Sequence, residues 1–150
     1  MIRTEKRIRL CTFFLIANLA LIWGNSLLPG SQSGEMSGGV MAFLMEVFRI
    51  PSAYEETVHT LIRKAAHFTE FACLGALLTW LHGMAGKKGT GLWCPALLFG
   101  ILAAMVDETI QMFTPDRGPS VLDVWIDTSG VIFGMTALIL GHHLYKRIKR

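Results

Sequence analysis

Two stretches of this chain place ionisable side chains inside runs that are otherwise as apolar as lipid. Residues 63–75, RKAAHFTEFACLG, carry Arg63, Lys64, His67 and Glu70. Residues 107–134, DETIQMFTPDRGPSVLDVWIDTSGVIFG, carry Asp107, Glu108, Gln111, Asp116, Arg117, Asp123 and Asp127. A charge at the centre of a membrane helix costs from roughly 2.5 to well over 10 kcal/mol, so such groups persist only where something offsets them. On a helix, Arg63, His67, Glu70 and Leu74 fall at i, i+4, i+7 and i+11, which puts three polar groups on one face. Asp107 and Glu108 both reach Gln111 by helical spacing, and Asp123 and Asp127 stand one turn apart.

The chemistry open to this set is proton transfer and polar recognition. His67, Glu70, Asp107 and Glu108 are candidates for general acid or base work. Arg63, Lys64 and Arg117 suit phosphate, and Gln111, Asp123 and Asp127 suit hydroxyls and amines. A metal is a further reading, because His67 and Glu70 at i, i+3, with Asp107, Asp123 or Asp127, supply N and O ligands fit for zinc or manganese. The H-E-x-x-H signature and a second His on that face are absent, so the cofactor stays unknown. Serine-nucleophile motifs, glycine-rich phosphate loops and CxxC pairs are also absent. His59, His82, His142 and His143 fall at expected helix ends or surfaces. The bland reading is that the charges only lock helix registry. That needs one or two pairs, whereas five carboxylates (Glu70, Asp107, Glu108, Asp123, Asp127) here face Arg63, Lys64, Arg117 and His67.

The elements that must carry these residues are membrane helices. The 150 residues are 52% hydrophobic and 17% charged, with a positive mean hydropathy, which is not the make-up of an ordinary soluble domain. Apolar runs at about 10–28, 65–84, 92–113 and 121–145 each approach the ~20 residues that span a bilayer as helix. We therefore expect one all-α membrane domain over 1–150, a bundle of four transmembrane helices, the first an uncleaved anchor. Between the first two, Pro29–Gly39 (PGSQSGEMSGG) reads as a flexible loop and Val40–Ile50 as an outer interfacial or re-entrant helical segment. Ser52 and Glu55 form a capping-box pattern for the helix that follows, on which Lys64 is expected to snorkel to the surface. Asn18 reads as a packing amide, and Asn25 and Ser26, at the outer end of the first helix, as either capping or site residues. Gly130 and Gly134 share a face of the last helix, a small-xxx-small pattern for close approach.

Lys and Arg set the orientation, because cytoplasmic flanks collect them. Arg3, Lys6, Arg7, Arg9, Lys87, Lys88, Lys146, Arg147, Lys149 and Arg150 share one side if the chain crosses four times. Both termini are then cytoplasmic, and the net charge of +3 reflects topology rather than nucleic-acid binding. The charged clusters fall in the outer half of the bilayer, with Asp127 roughly 9 Å below the end of its helix. Cys11, Cys73 and Cys94 lack metal-type spacing and read as buried free thiols.

The two motifs, with WGNSLLPGSQSG after the first apolar run, resemble the VanZ-like family of bacterial membrane proteins. That pattern is roughly R-K-x-x-H-x-x-E followed by an aromatic residue, then D-E-x-x-Q, a turn carrying Arg, and D-x-x-x-N/D-x-x-G-x-x-x-G. The resemblance implies a multi-pass plasma-membrane protein associated with low-level teicoplanin resistance. By position it adds Ser120 to the ligand-binding set, alongside Arg63, Lys64, Gln111, Arg117, Asp123 and Asp127. Asp127 stands where relatives often carry Asn, which adds a negative charge. The first function expected is binding of an envelope lipid or lipid-linked precursor head group in an outer-leaflet polar chamber. The alternatives are an intramembrane acid/base or metal-assisted enzyme modifying such a lipid, and a scaffold or transporter. The lipid bilayer is the expected partner, with no nucleic acid, and the oligomeric state is open.

Overall fold

The computed structural model describes residues 2–149; Arg150, and the side chain of Arg3, both counted above among the basic flanks, lie outside the described residues. The fold is all-α: α1 (Ile2–Leu27), α2 (Gly30–Val47), a 3₁₀ turn (Ser52–Tyr54), α3 (Glu55–Met84), α4 (Thr90–Gln111) and α5 (Val121–Ile148). No strand forms among the described residues. Thr4–Leu27, Thr90–Gln111 and Val121–Ile148 are each long and apolar enough to cross a membrane. α3 has 30 residues, but its first half carries Glu55, Glu56, His59, Arg63, Lys64, His67 and Glu70, so composition alone does not mark it as a span. Side chains such as Phe13, Ile16, Leu98, Leu102, Phe133 and Leu140 point outward and exposed, as an apolar solvent requires.

The four long helices alternate in direction. α1 runs antiparallel to α3, since the Cys11 thiol approaches the Leu77 carbonyl while Asn25 meets Glu70. α1 and α4 run parallel, tied by Trp23 Nε1 donating to the Ala103 carbonyl at 3.4 Å. Phe71, Leu74, Leu78, Ala103, Ala104, Val131 and Met135 fill the space between them.

α3 and α5 run parallel and almost touch. A Cβ on Gly130 would strike the Phe68 carbonyl, one on Gly134 the Ala72 carbonyl, and one on Gly75 the Val131 carbonyl. Glycine at these positions lets the two backbones meet, which is what small residues do in place of a hydrophobic driving force inside a bilayer. α4 joins this seam at Gly100, where a Cβ would lie 2.6 Å from a Val131 methyl.

Three expectations are corrected. Pro29–Gly39 is not a loop, because α2 starts at Gly30. Gly and Ser have poor helix propensity, but packing on α3 overrides it. The Ser37 hydroxyl bonds back to the Ser33 and Gly34 carbonyls and pairs with His59 at 3.0 Å, and Gly34 leaves room for the same imidazole. His59 is thus a packing partner of α2 rather than a bystander. Second, the Ser52–Glu55 capping box is not made; Ser52 belongs to the 3₁₀ turn and α3 has no side-chain cap. Third, Cys11 is buried, but Cys73 and Cys94 are exposed free thiols.

The α3–α5 seam yields a prediction of sign. Gly134→Ala forces a methyl into the Ala72 carbonyl and should lower the stability of the purified protein by about 1–3 kcal/mol. Gly83→Ala, with nothing within 4 Å of the new Cβ, should be neutral or gain up to about 1 kcal/mol of helix propensity. Thermal unfolding of the two variants in one detergent separates them.

Candidate functional site

At one end of the bundle the C-terminal turns of α1 and α4, the first half of α3 and the first turns of α5 bring the polar residues together. Asp107 and Asp127 are fully buried, and Glu108 and Gln111 nearly so. Helical spacing alone accounts for the inward face of α4. What the four helices do with these groups divides them into two classes.

The first class is satisfied by protein. Ser26 donates its hydroxyl to Asp107 Oδ1 at 2.6 Å, and Gln111 Nε2 donates to Asp107 Oδ2 at 2.9 Å. Asn25 donates to Glu70 Oε1 at 2.8 Å, and Asn18 Nδ2 donates to the Glu70 carbonyl at 3.4 Å, while Asn18 Oδ1 is buried without a partner among the described residues. Glu108 Oε2 accepts the Ser120 N–H at 2.8 Å, placing a carboxylate at the positive end of α5. The Ser120 hydroxyl accepts from the Leu122 N–H, an N-cap bond. Lys64 forms an ion pair with Asp123. The expected snorkelling of Lys64 is therefore wrong: α5 brings a carboxylate within its reach.

Arg117 also belongs to this class. Its Nε donates to the Leu28 carbonyl at 3.1 Å and a terminal nitrogen to the Asn25 carbonyl at 2.7 Å, so a cation caps the negative end of α1. Burial first, then the Arg63 guanidinium, pulls its pKa below the ordinary value, and Asp107 and Glu108 oppose that shift. It stays cationic at ordinary pH. Thr114 fastens the same junction by donating to the Ser26 carbonyl at 2.8 Å, and the Gly30 N–H bonds the Pro115 carbonyl at 3.0 Å. Two ligand-binding candidates, Arg117 and Ser120, are thus engaged in holding helix ends.

The second class has no protein partner. Both oxygens of Asp127 and Nδ1 of His67 are sealed from solvent without a hydrogen bond among the described residues. His67 Nδ1 stands 3.6 Å from Asp107 Oδ2 and 3.9 Å from Asp127 Oδ1. One ligand atom from each of His67, Asp107 and Asp127 lies within 4.8 Å of the others. Among the expected metal ligands, His67, Asp107 and Asp127 come together in this group. Glu70 and Asp123 do not, because Asn25 and Lys64 hold their carboxylates elsewhere.

Arg63, Lys64, His67, Glu108, Gln111, Asp123 and Asp127 line a cavity of about 10 Å³. That volume takes about one water molecule or ion. The chamber expected from sequence is therefore narrow inside, and a larger ligand would meet only its rim. Arg63 lines it with neither a hydrogen bond nor an ion pair to any described residue. A larger cavity of about 640 Å³ lies at the opposite end of the bundle, bounded by Trp80, Trp93, Lys87, Lys88, His142 and Lys146, and touches none of the charged cluster.

Sequence reasoning missed Thr114 as a member of the site and left Asn25 and Ser26 between a capping and a site role. Their signal was present in part: two adjacent polar residues interrupt an apolar run shortly before Pro29.

No curated protein and no solved structure is significantly similar to the chain. The VanZ/LLP1 family profile matches residues 11–142, a span that holds every residue of the cluster just described. From the buried Cys11 of α1 to His142 near the end of α5 the match is continuous, and the chain belongs to the VanZ/LLP1 family of membrane proteins.

Proposed function

We propose that this protein binds the anionic head group of a cell-envelope lipid or lipid-linked precursor at the outer face of the membrane, and so lowers sensitivity to teicoplanin. Arg63 carries the reading. A guanidinium that no described carboxylate claims, lining a cavity between α3, α4 and α5, has five donors in a fork that fits a phosphate. Lys64 and Asp123 flank it as a pair that an incoming head group can reorganise. The link to teicoplanin comes from the family's association and rests on that alone.

The orientation follows from charge. α3 would be the fourth span, with its polar first half shielded by α1, α2, α4 and α5. Lys87, Lys88, Lys146, Arg147 and Lys149 then share the end away from the site, and the positive-inside tendency puts that end in the cytoplasm. Arg49, Arg63, Lys64 and Arg117 fall on the outer side. Alkaline phosphatase fused after Asp116 should be active and the same enzyme fused after Lys88 inactive; the reverse pattern would turn the site inward and sink the outer-leaflet reading.

An acid/base enzyme on the same lipid is the second reading. His67 favours it, because its unbonded Nδ1 faces two carboxylates. Comparing lipid extracts of expressing and non-expressing cells by mass spectrometry tests this, with a new species expected if turnover occurs.

For the binding reading, purified wild type should retain radiolabelled phosphate-bearing envelope lipids. Arg63→Ala should weaken that binding by roughly tenfold or more, the worth of one charge-assisted hydrogen bond or two. Equal binding by both would remove the guanidinium from the ligand. In a susceptible Gram-positive host, with membrane levels matched, the wild type should raise teicoplanin tolerance and Arg63→Ala, His67→Ala and Glu108→Gln should not. Equal tolerance in all four strains would make those charges structural.

A further inference from the structure

We propose that His67, Asp107 and Asp127 form a binding site for one divalent metal ion of the zinc or manganese class. The observation that points to a ligand is Asp127. It is fully buried, aimed at the His67–Asp107 pair, and neither oxygen has a partner among the described residues. A carboxylate in that condition awaits a cation or a proton, because an isolated charge in a low-dielectric interior is among the costliest groups a protein can hold.

Distance separates the two. His67 Nδ1 to Asp107 Oδ2 is 3.6 Å, and to Asp127 Oδ1 3.9 Å, both too long for a hydrogen bond. Ligands on a tetrahedral zinc, with bonds near 2.1 Å, stand roughly 3.4 Å apart. The two separations from His67 approach that edge, and the ligand atoms of Asp107 and Asp127 lie within 4.8 Å of each other. One ion placed between the three atoms would therefore bond to all of them with small side-chain movements.

Charge and support agree with this geometry. A bound divalent ion would cancel the charge of two ionised carboxylates beside a neutral imidazole. Asp107 is oriented by the Ser26 hydroxyl and the Gln111 amide, the outer-sphere contacts that position a metal-bound carboxylate. One nitrogen and two oxygens suit zinc or manganese better than a softer metal. Three protein ligands leave a coordination position free, as at catalytic rather than structural zinc sites. His67 and Asp127 line the cavity of about 10 Å³, which admits one oxygen of water or of an anion. Arg63 lines the same cavity, so metal and guanidinium could hold a single phosphate from two sides.

Metal binding is read without any lipid, so its failure is distinct from failure of the head-group reading. The test uses untagged full-length protein in detergent, stripped with a chelator and titrated with zinc or manganese chloride alone. Metal content is measured by mass spectrometry and affinity by calorimetry. The wild type should take up one ion per chain. Asp127→Asn and Asp107→Asn should lose at least tenfold in affinity, and Glu56→Gln, on the first turn of α3, should match the wild type. Cobalt in place of zinc should give the visible spectrum of a tetrahedral N/O site in the wild type and not in Asp127→Asn. Should an Asp variant fail to fold, His67→Gln at the less buried edge of the cluster serves as the second variant, with the same loss expected. Well under one ion per wild-type chain, or equal uptake by the wild type and every ligand variant, would overturn the proposal. Equal uptake would place the ion elsewhere, such as at the adjacent His142 and His143.

Discussion

The contact between α3 and α5 is the constraint from which the site follows. Gly130 and Gly134 meet the carbonyls of Phe68 and Ala72, and Gly75 meets that of Val131, with no side chain between the backbones. His67 precedes Phe68 by one residue, and Asp127 precedes Gly130 by three. Any side chain at the glycines would push α5 away from α3, and the imidazole would lose the carboxylate first. Within a bilayer such close approach gains dispersion contacts that lipid tails cannot match, so the seam stabilises the bundle and positions the chemistry together.

Around that seam most of the polar groups are consumed in pairs. Arg117 closes α1, Glu108 and Ser120 open α5, Asn25 holds Glu70, and Lys64 holds Asp123. These contacts solve a problem any membrane protein faces, since helix ends and charges short of water need partners from the chain itself. Pairing of this kind accounts for a majority of the cluster's members. It fails at Arg63, His67 and Asp127, which are left over after every pair is counted.

α2 and the turn between α4 and α5 form the cover over this end. Gly30 docks on Pro115, and Ser37 reaches His59 on α3. Both contacts tie α2, which is not itself a span by composition, to the helices that carry the charges. A large ligand would have to approach past this cover or between α3 and α5, where Arg63 stands.

The sequence by itself determined the class of protein, the bounds of α4 and α5 to within a few residues, and the inward face of Asp107, Glu108 and Gln111. Each of those is a one-dimensional property: apolar length against bilayer thickness, and helical period against polar spacing. It also marked the glycines of α5 as a close-packing face. Tertiary structure alone decided three things. It made a helix of a Gly- and Ser-rich stretch, because packing on α3 outweighs weak propensity. It engaged Arg117 and Ser120, ligand candidates by sequence, in bonds at helix ends. It also brought His67, Asp107 and Asp127 together while pairing Glu70 and Asp123 with other residues. Which carboxylate is paired and which is left bare depends on what the neighbouring helix places within 3 Å, and residues more than eighty positions apart in the chain, such as Ser26 and Asp107, decide that.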